Sequence, residues 1–230
     1  MWQGKSKALT FSFDDGVTQD IRTIEILNKY NLRATFNLNS SLLGLTGTPL
    51  VRNGKTVDYI KVNPYEIRDV YRGHEVAAHT LTHPKLYDIP DDTLVFQAEE
   101  DRKTLSRLAG YEVVGMAYPF GHANEHIADV LRERTGIRYS RTVKSTNSFE
   151  LPEDLLLLNP SVYFIHVEDM FKLGEEFLKL APTKPQLFYV WGHTYELDAD
   201  FISWERFEEF CRMMANRDDI FYGTNKEVLM

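Results

Sequence analysis

The chain has 230 residues, of which 43% are hydrophobic and 26% are charged, and its formal net charge is -8 at pH 7. These values are typical of a globular protein and disfavour nucleic-acid binding, because phosphate binding requires a clustered excess of Lys and Arg. No stretch approaches the roughly 18 apolar residues of a transmembrane helix, so we expect no membrane insertion.

We expect a single domain over residues 1–230, since no linker, repeat or low-complexity tract interrupts the chain. Cys211 is the only cysteine, which excludes an intrachain disulfide bond. The first residues lack the apolar segment and the small-residue cleavage site of a signal peptide. A cytoplasmic location is therefore the default expectation, and export stays open because a signal could have been removed.

Strand-like and helix-like patterns alternate along the chain. Short apolar, β-prone runs predict strands, and amphipathic stretches that begin at a capping residue predict helices. In chain order, the first half predicts a strand over 8–13, a helix over 18–30, a strand over 34–38, a loop over 40–62 with a hairpin at Asn53-Gly54, a helix between Asn63 and Gly73, and a strand over 75–78.

The second half continues this alternation. It predicts a helix from Asp91 or Asp92 to Gly110, a strand over 113–118, a helix over 124–134, strands over 137–139 and 155–158, a helix over 167–180, a strand over 186–191, a helix from Ser203, a strand over 220–222 and a short helix capped by Thr224. Because such alternation implies right-handed βαβ units, we predict an α/β fold with a parallel sheet.

Reactive residues directly follow several of the predicted strands. The Asp14–Asp15 pair, His79, Pro119 and His193 all occupy such positions. In βαβ folds, functional residues gather at the carboxyl ends of the strands. The sequence therefore predicts an active site at that end of the sheet.

The Asp pair and the two histidines of HTLTH, His79 and His83, form a candidate metal site. Histidines four residues apart reach a single ion if their segment is helical or tightly turned, and one carboxylate completes a set that suits Zn²⁺ or a similar ion. The second carboxylate then stays free. The alternative interpretation is a helix cap for the Asp pair and surface positions for the histidines.

His193 is a candidate general acid. It follows a strand rich in aromatic residues and stands next to Gly192, which permits close approach of a ligand. A histidine that titrates near neutrality can donate a proton, and a buried core histidine is the equal alternative. His122 follows a Pro-Phe-Gly turn, so both a site role and a structural role stay open. Three further histidines have no second candidate ligand or catalytic residue at a recognisable spacing and are interpreted as structural: His74, His126 and His166.

Together, these motifs resemble the polysaccharide deacetylase family, the NodB-homology domain of carbohydrate esterase family 4. Residues 10–16 resemble the first family motif, and residues 79–83 match the second, H-[ST]-x-x-H. Residues 117–121 resemble the third motif, and residues 190–193 resemble the fifth. The resemblance implies a distorted (β/α) barrel of parallel strands with the helices outside.

The resemblance also implies a role for each matching residue. The implied roles are catalytic base for Asp14, metal ligands for Asp15, His79 and His83, and general acid for His193. The backbone N–H of Phe120 would stabilise the oxyanion. The implied cofactor is a divalent metal ion, first of all Zn²⁺, with Co²⁺ or Ni²⁺ as alternatives.

Two motifs depart from the family pattern. Ala117 replaces the third-motif arginine that tunes the base, and Phe120 replaces the tyrosine. The fourth motif, D-x-x-D-W, which positions the catalytic histidine, is not found. Arg141 follows another predicted strand and is a candidate replacement for the arginine, with a surface arginine as the equal alternative. Glu196 or Asp198 are candidates to orient groups in the site.

The expected function is metal-dependent removal of N-acetyl or other acyl groups from an amino sugar or polysaccharide. Tyr118, Trp191 and Tyr195 are candidates to line a carbohydrate groove, and core packing is the alternative for Trp191. Because the third and fourth motifs are altered, two further functions stay open. One is a metal-dependent O-acetyl esterase or a hydrolase of non-sugar amides, and the other is a non-catalytic carbohydrate-binding relative.

Overall fold

Strands and helices alternate through residues 2–230, which this computed structural model describes. The strands are β1 (Lys7–Asp14), β2 (Ala34–Leu38), β3 (Leu50–Arg52), β4 (Lys55–Val57), β5 (Glu75–Ala78), β6 (Gly115–Ala117), β7 (Tyr139–Arg141), β8 (Val162–Tyr163), β9 (Gln186–His193) and β10 (Ile220–Tyr222). The α-helices are α1 (Gln19–Lys29), α2 (Ile67–Val70), α3 (Asp91–Ala109), α4 (Glu125–Arg134), α5 (Val167–Lys179), α6 (Tyr195–Asp198), α7 (Trp204–Met214) and α8 (Asn225–Leu229).

One curled sheet of eight parallel strands forms the centre of the molecule. Its order is β7-β6-β5-β2-β1-β9-β8, and β10 pairs with the first residues of β1. Because all these strands run in the same direction, their carboxyl ends meet at one end of the sheet. The predicted α/β fold, a distorted barrel of parallel strands with helices outside, is confirmed.

The central strand, β1, separates an apolar layer from a polar one. All eight of its residues are buried. Phe11 faces the helices, and its ring centre lies 6.2 Å from that of Phe207 in α7. On the other face of the strand, Thr10 and Ser12 hydrogen-bond to the side chain of Asn225. Since strand side chains alternate, β1 contributes to the outer core and to a polar barrel interior.

The segment between β7 and β8 closes the barrel irregularly, and here one prediction was wrong. Residues 155–158 do not form a strand, because Leu155–Leu157 form a 3₁₀ turn. The backbone of Leu158 then hydrogen-bonds to Ser140 and Thr142, the residues before and after Arg141. The two-residue strand β8, which was not predicted, pairs with β9. An apolar run alone does not distinguish a buried turn from a strand.

The other boundaries differ from the predictions by a few residues. β6 is shorter than predicted, and β7 begins two residues later, at Tyr139. The helix predicted after Asn63 begins as a 3₁₀ turn and contains only the four residues of α2, and α6 was not predicted. The hairpin is confirmed: Asn53 and Gly54 have φ values of 50° and 73°, as a tight two-residue turn requires. Within residues 2–230, no helix combines the length and apolar character needed to span a bilayer.

Candidate active site

Most of the predicted site residues line one cavity of about 570 Å³ at the carboxyl end of the sheet, and Arg141 lies behind its wall in contact with Asp14. Strand register explains part of this convergence, because Asp14 at the end of β1 pairs with Asn37 of β2 on one side and with His193 of β9 on the other. The titratable groups of the lining include Asp14, Asp15, His79, His83 and His193, and its aromatic residues are Tyr59, Tyr118, Phe120, Tyr163, Trp191 and Tyr195.

Asp15, His79 and His83 bring three potential ligand atoms together. One carboxylate oxygen and one ring nitrogen of each histidine all lie within 4.8 Å of one another. Asp15 Oδ1 is 3.9 Å from His79 Nε2 and 4.0 Å from His83 Nε2. Metal–ligand bonds to nitrogen and oxygen are about 2.0–2.2 Å, so a cation between these atoms would need only a small contraction of the cluster.

The histidine rings have the protonation state that cation binding requires. His79 Nδ1 lies 2.7 Å from the carbonyl oxygen of Ala117, which can only accept, so Nδ1 carries the proton and Nε2 presents its lone pair to Asp15. Burial lowers the pKa of His79. Burial, and to a smaller extent the neighbouring His79, lower the pKa of His83 to about 4. Two neutral imidazoles and one carboxylate fit Zn²⁺ or a similar divalent cation.

The HTLTH segment forms a tight turn rather than a helix. Thr80 and His83 have φ values of 65° and 57°, in a region that non-glycine residues rarely adopt. Asn39 Nδ2 donates to the carbonyl oxygens of His79 and Thr80 at 2.5 and 2.9 Å. Asp101 of α3 accepts a hydrogen bond of 3.0 Å from the backbone N–H of His79. These two buried side chains stabilise the strained turn through its backbone.

Asp15 also has strained backbone, with φ at 84°, and the following Gly16 has φ at 61°. Glycine suits this turn because its φ is left-handed, and a Cβ here would also lie 2.6 Å from Leu38 Cδ2. Lys61 donates from Nζ to the Asp15 carbonyl oxygen at 2.5 Å and lies 3.9 Å from Oδ1. Burial by itself raises the pKa of Asp15, but Lys61 and the nearby histidines outweigh it and hold that pKa well below its usual value.

Asp14 lies beside this cluster but has different partners. Arg141 Nη2 is 2.5 Å from both carboxylate oxygens of Asp14, and Asn37 Nδ2 is 2.8 Å from Oδ1. Burial by itself raises the pKa of Asp14, but the Arg141 guanidinium and the nearby histidines outweigh it and hold the pKa below its usual value. The carboxylate is therefore ionised at neutral pH.

Arg141 lies next to the position at which the family resemblance expects an arginine. Ala117 of β6 and Arg141 of β7 are paired in register on adjacent strands. Arg141 is fully buried, which excludes a surface arginine, and its Nε and Nη1 donate to Ser12 Oγ and to the Thr142 carbonyl oxygen. Its guanidinium carbon lies 4.4 Å from the ring centre of Trp191. The guanidinium thus reaches Asp14 from the neighbouring strand, at the same level of the barrel.

Glu196 and Tyr163 fix the ring of His193. His193 Nδ1 lies 3.4 Å from Glu196 Oε2, and the backbone N–H of His193 donates to the same oxygen at 3.0 Å. The Tyr163 hydroxyl lies 3.3 Å from His193 Nδ1 and donates to Glu196. Burial by itself lowers the pKa of His193, but Glu196 and the site aspartates raise it to about 9, so the ring is protonated at neutral pH.

The aromatic residues predicted to contact substrate differ in exposure. Tyr118 belongs to the lining but is almost fully buried, and its hydroxyl donates to the carbonyl oxygen of Leu156 at 2.7 Å. Trp191 is largely buried and stacks on Tyr163, with ring centres 4.1 Å apart. Phe120, in contrast, is 55% exposed and has a φ of 58°. Trp191 therefore combines core packing with a position in the cavity wall.

The remaining candidates lie elsewhere or were overlooked. Asp198 accepts a hydrogen bond from Trp204 Nε1 and does not line the cavity, and His74 and His126 are also outside the lining. Sequence interpretation did not single out five residues that support the site, because none belongs to a motif and each acts through a tertiary contact: Asn37, Asn39, Lys61, Asp101 and Tyr163.

The fold and the site together define a class of protein, an α/β barrel that gathers titratable side chains at the carboxyl ends of its strands. A carboxylate–histidine cluster suited to a cation stands at these strand ends, beside a second carboxylate, Asp14, and a third histidine, His193. A family model described as polysaccharide deacetylase matches residues 3–140. The chain belongs to the polysaccharide deacetylase family, which confirms the resemblance seen in its motifs.

The relatives of the chain are distant. The peptidoglycan-N-acetylglucosamine deacetylase PgdA of Listeria monocytogenes is 24% identical over 126 residues, which cover 54% of this chain and 24% of that protein. The match thus spans about a quarter of the length of this curated relative. A Mycobacterium smegmatis protein described as a candidate polysaccharide deacetylase superposes with a TM-score of 0.70 at 17% identity, covering 98% of this chain and 90% of that chain. A mutant of BA3943, described as a CE4 family pseudoenzyme, superposes with a TM-score of 0.60 at 16% identity, covering 98% and 68%.

Proposed function

We propose that this chain is a metal-dependent hydrolase that removes N-acetyl groups from an amino sugar within a saccharide. The observation that carries this proposal is the division of the site into two parts. Asp15, His79 and His83 form one cluster, and Asp14 and His193 stand beside it, each with a charged partner of its own. A protein that only bound sugar would not need a separately oriented acid and base.

Asp15, His79 and His83 would hold the cation. A bound Zn²⁺, Co²⁺ or Ni²⁺ would lower the pKa of a coordinated water and polarise the acyl carbonyl. Zn²⁺ is the first expectation, because two neutral imidazoles and one carboxylate form a set that it commonly uses with open positions for water and substrate. The carbonyl of Ala117 fixes the His79 ring for this task, and the side chain of Asn39 holds the His79 backbone.

Asp14 acts as the general base in this proposal. Its carboxylate is ionised and fixed by Arg141 and Asn37, so it accepts a proton from the attacking water without prior rearrangement. A positioned base of this kind typically contributes about 10²–10⁴-fold to the rate. A guanidinium offers hydrogen-bond donors and no acceptor, so the task of Arg141 is to orient the carboxylate and keep it charged.

His193 acts as the general acid. Its pKa of about 9 keeps the ring protonated at neutral pH, ready to donate a proton to the departing amine. An amide nitrogen leaves poorly unless it is protonated, whereas the oxygen of an ester leaves more easily. A histidine that stays protonated therefore favours N-acetyl over O-acetyl substrates. In this proposal the backbone N–H of Phe120 donates to the oxyanion that forms.

The cavity and one relative support a sugar substrate. A volume of about 570 Å³ lies in the range of small-molecule sites, and aromatic side chains such as Tyr59 and Tyr195 supply apolar walls for a sugar ring. The name of the Listeria relative is that of an enzyme acting on N-acetylglucosamine in peptidoglycan. We therefore propose an N-acetylated hexosamine, in a glycan or a fragment of one, as the substrate.

The test is acetate release by the purified protein loaded with Zn²⁺, Co²⁺ or Ni²⁺. The substrates are N-acetylglucosamine oligomers, peptidoglycan fragments, acetylxylan and small acetamides. We expect release from the N-acetylated sugars that stops on chelation and returns with added cation. Asp14→Asn is the matched control, because it preserves the size of the side chain and all three proposed ligands and should be inactive.

Other results would replace the proposal with a different function. A preference for acetylxylan would identify an O-acetyl esterase, and turnover of acetamides alone would identify a non-sugar amidohydrolase. Saccharide binding without any release by the cation-loaded protein would identify a non-catalytic relative, a description that one protein of similar fold carries.

A further inference from the structure

The last helix, α8, closes the amino end of the barrel through polar contacts. The backbone N–H groups of its first two residues, Asn225 and Lys226, donate to Thr35 Oγ1 at 2.8 Å and to Glu75 Oε2 at 2.9 Å. Thr35 and Glu75 stand at the amino ends of β2 and β5. The helix therefore approaches the barrel interior from the end opposite the candidate active site.

The side chain of Asn225 extends from this helix into the barrel and is buried there. Its Oδ1 accepts a hydrogen bond of 2.9 Å from Thr10 Oγ1. Its Nδ2 donates to the Tyr189 hydroxyl at 2.5 Å and to Ser12 Oγ at 3.2 Å. Both amide protons and the amide oxygen thus have partners on β1 and β9, so the side chain has a fixed orientation.

Ser12 connects Asn225 to the groups that hold the proposed base. Ser12 and Asp14 lie two residues apart on β1, so their side chains point to the same face of the strand. Asn37 Nδ2 lies 2.9 Å from Ser12 Oγ and 2.8 Å from Asp14 Oδ1. Arg141 donates from Nε to Ser12 Oγ at 3.3 Å and from Nη2 to Asp14. One hydroxyl oxygen therefore contacts both side chains that orient Asp14, as well as Asn225.

This polar layer departs from the usual filling of a barrel, in which branched apolar side chains predominate. A buried polar group costs free energy unless it is hydrogen-bonded. A network in which each member holds the next is rigid, however, and it fixes a single arrangement of its side chains. A general base gains from such rigidity, because a misplacement of about 1 Å costs up to about 10²-fold in rate.

We propose that Asn225 is a positioning residue for catalysis. From the far end of the barrel, its amide holds the Ser12 hydroxyl, and Ser12 holds Arg141 and Asn37 in the arrangement that orients the Asp14 carboxylate. The helix α8 is then part of the catalytic apparatus as well as a closure of the barrel. This inference rests on the proposed function, because it needs Asp14 to act as the base.

The test is the effect of Asn225→Ala on acetate release from N-acetylglucosamine oligomers by the Zn²⁺-loaded protein. We expect kcat to fall at least about fivefold while KM stays within about twofold, because the substrate contacts are intact and only the orientation of the base is lost. The content of bound Zn²⁺ should not change. Adding Asn225→Ala to Ser12→Ala should not lower kcat further, because both changes act through the same hydroxyl.

Val228→Ala is the matched control for a purely structural role. Val228 is a buried residue of the same helix that packs in an apolar cluster with Trp2 and Leu187, and its side chain cannot hydrogen-bond. This variant should lower the free energy of unfolding, as Asn225→Ala also should, but it should leave kcat unchanged.

A spectroscopic readout makes the test independent of turnover. In the metal-free protein, the NMR signal of the Arg141 Nε–H group should shift or broaden in Asn225→Ala and keep its position in Val228→Ala. A wild-type protein that releases no acetate would reject the proposed function, and this comparison would still decide whether Asn225 positions Arg141. The positioning proposal is overturned if that signal is the same in Asn225→Ala and wild type. It is also overturned if Val228→Ala lowers kcat as much as Asn225→Ala does, or if the losses of Ser12→Ala and Asn225→Ala are additive in the double variant.

Discussion

The two halves of the candidate site are assembled in different ways. The cation half, Asp15, His79 and His83, comes from two short contiguous segments that match family motifs. The acid–base half, Asp14 and His193, also follows strand ends, but the charged groups that orient it do not occupy the family positions. One of them, Arg141, comes from β7, the strand next to the family position on β6, and the other, Glu196, comes from α6 directly after β9.

This difference follows from what each half requires. Ligands must meet one point in space to within a fraction of an ångström, so they depend on particular backbone turns. The left-handed Thr80 and His83 form such a turn within the HTLTH segment. A charge that orients a base or an acid only has to reach it. Arg141 therefore reaches Asp14 from beside Ala117, and Glu196 reaches His193 from three residues further along the chain.

The largest effect should separate chemistry from cation binding. Asp14→Asn and His193→Ala each remove a proton-transfer group but no proposed ligand. We expect kcat to fall about 10²–10⁴-fold while the bound cation is retained, measured by acetate release and metal content in the same sample. Either variant keeping more than a tenth of wild-type activity would contradict the assigned roles.

Removing the relocated arginine should affect stability as well as rate. Arg141→Met leaves the Asp14 carboxylate buried without its cationic partner, and breaking a buried pair in this way costs about 3–5 kcal/mol. Urea unfolding of the metal-free protein measures this loss. Adding Asp14→Asn to Arg141→Met should recover most of it, because the uncompensated charge is gone. Additive losses would show that the two side chains do not interact as the geometry indicates.

Glu196→Gln should change the pH profile. The pKa of His193 is raised to about 9, so its protonated form is present below that pH and is lost as the pH rises through it. Without the carboxylate, the alkaline limb of kcat/KM should move to lower pH by about one unit or more. Glu205→Gln, an exposed change on α7, is the matched control. An unshifted limb in Glu196→Gln would exclude Glu196 as the group that orients and charges His193.

The smallest effect concerns the support of the ligand turn. Asn39→Ala removes two hydrogen bonds to the carbonyls of His79 and Thr80 without touching a ligand. Cation affinity should fall about tenfold, as is typical for groups that orient ligands, with little change in kcat at saturating cation. Competition with a chelator of known affinity measures the dissociation constant of the cation. An unchanged constant would show that the HTLTH turn keeps its conformation without Asn39.

Most of the fold could be predicted from the sequence, because strands and helices differ in hydrophobic period. The strand at Glu75–Ala78 has the predicted bounds. The prediction was wrong at 155–158, where a leucine-rich turn has the composition of a strand, and the two-residue β8 is too short to carry a pattern. These short elements form through contacts with β7 and β9, which are distant in sequence, so no local pattern marks them.

The site was predictable where it is local. The spacing of the histidines in the HTLTH segment was enough to identify them as candidate ligands. Nothing in the sequence distinguishes Lys61 from other lysines, because its role depends on the Asp15 carbonyl oxygen, 46 residues away. Arg141 could be proposed, but surface and site positions were equal alternatives. Only its burial and its register with Ala117 separate them.

The most direct measurement is the metal content of the purified chain after equilibration with Zn²⁺ and removal of the free ion. We expect one Zn²⁺ per chain in the wild-type protein and in Asp14→Asn, and none in His79→Ala. Equal zinc in His79→Ala and wild type, or a wild-type chain that binds no divalent cation at all, would contradict the claim that this carboxylate and histidine pair form a metal site.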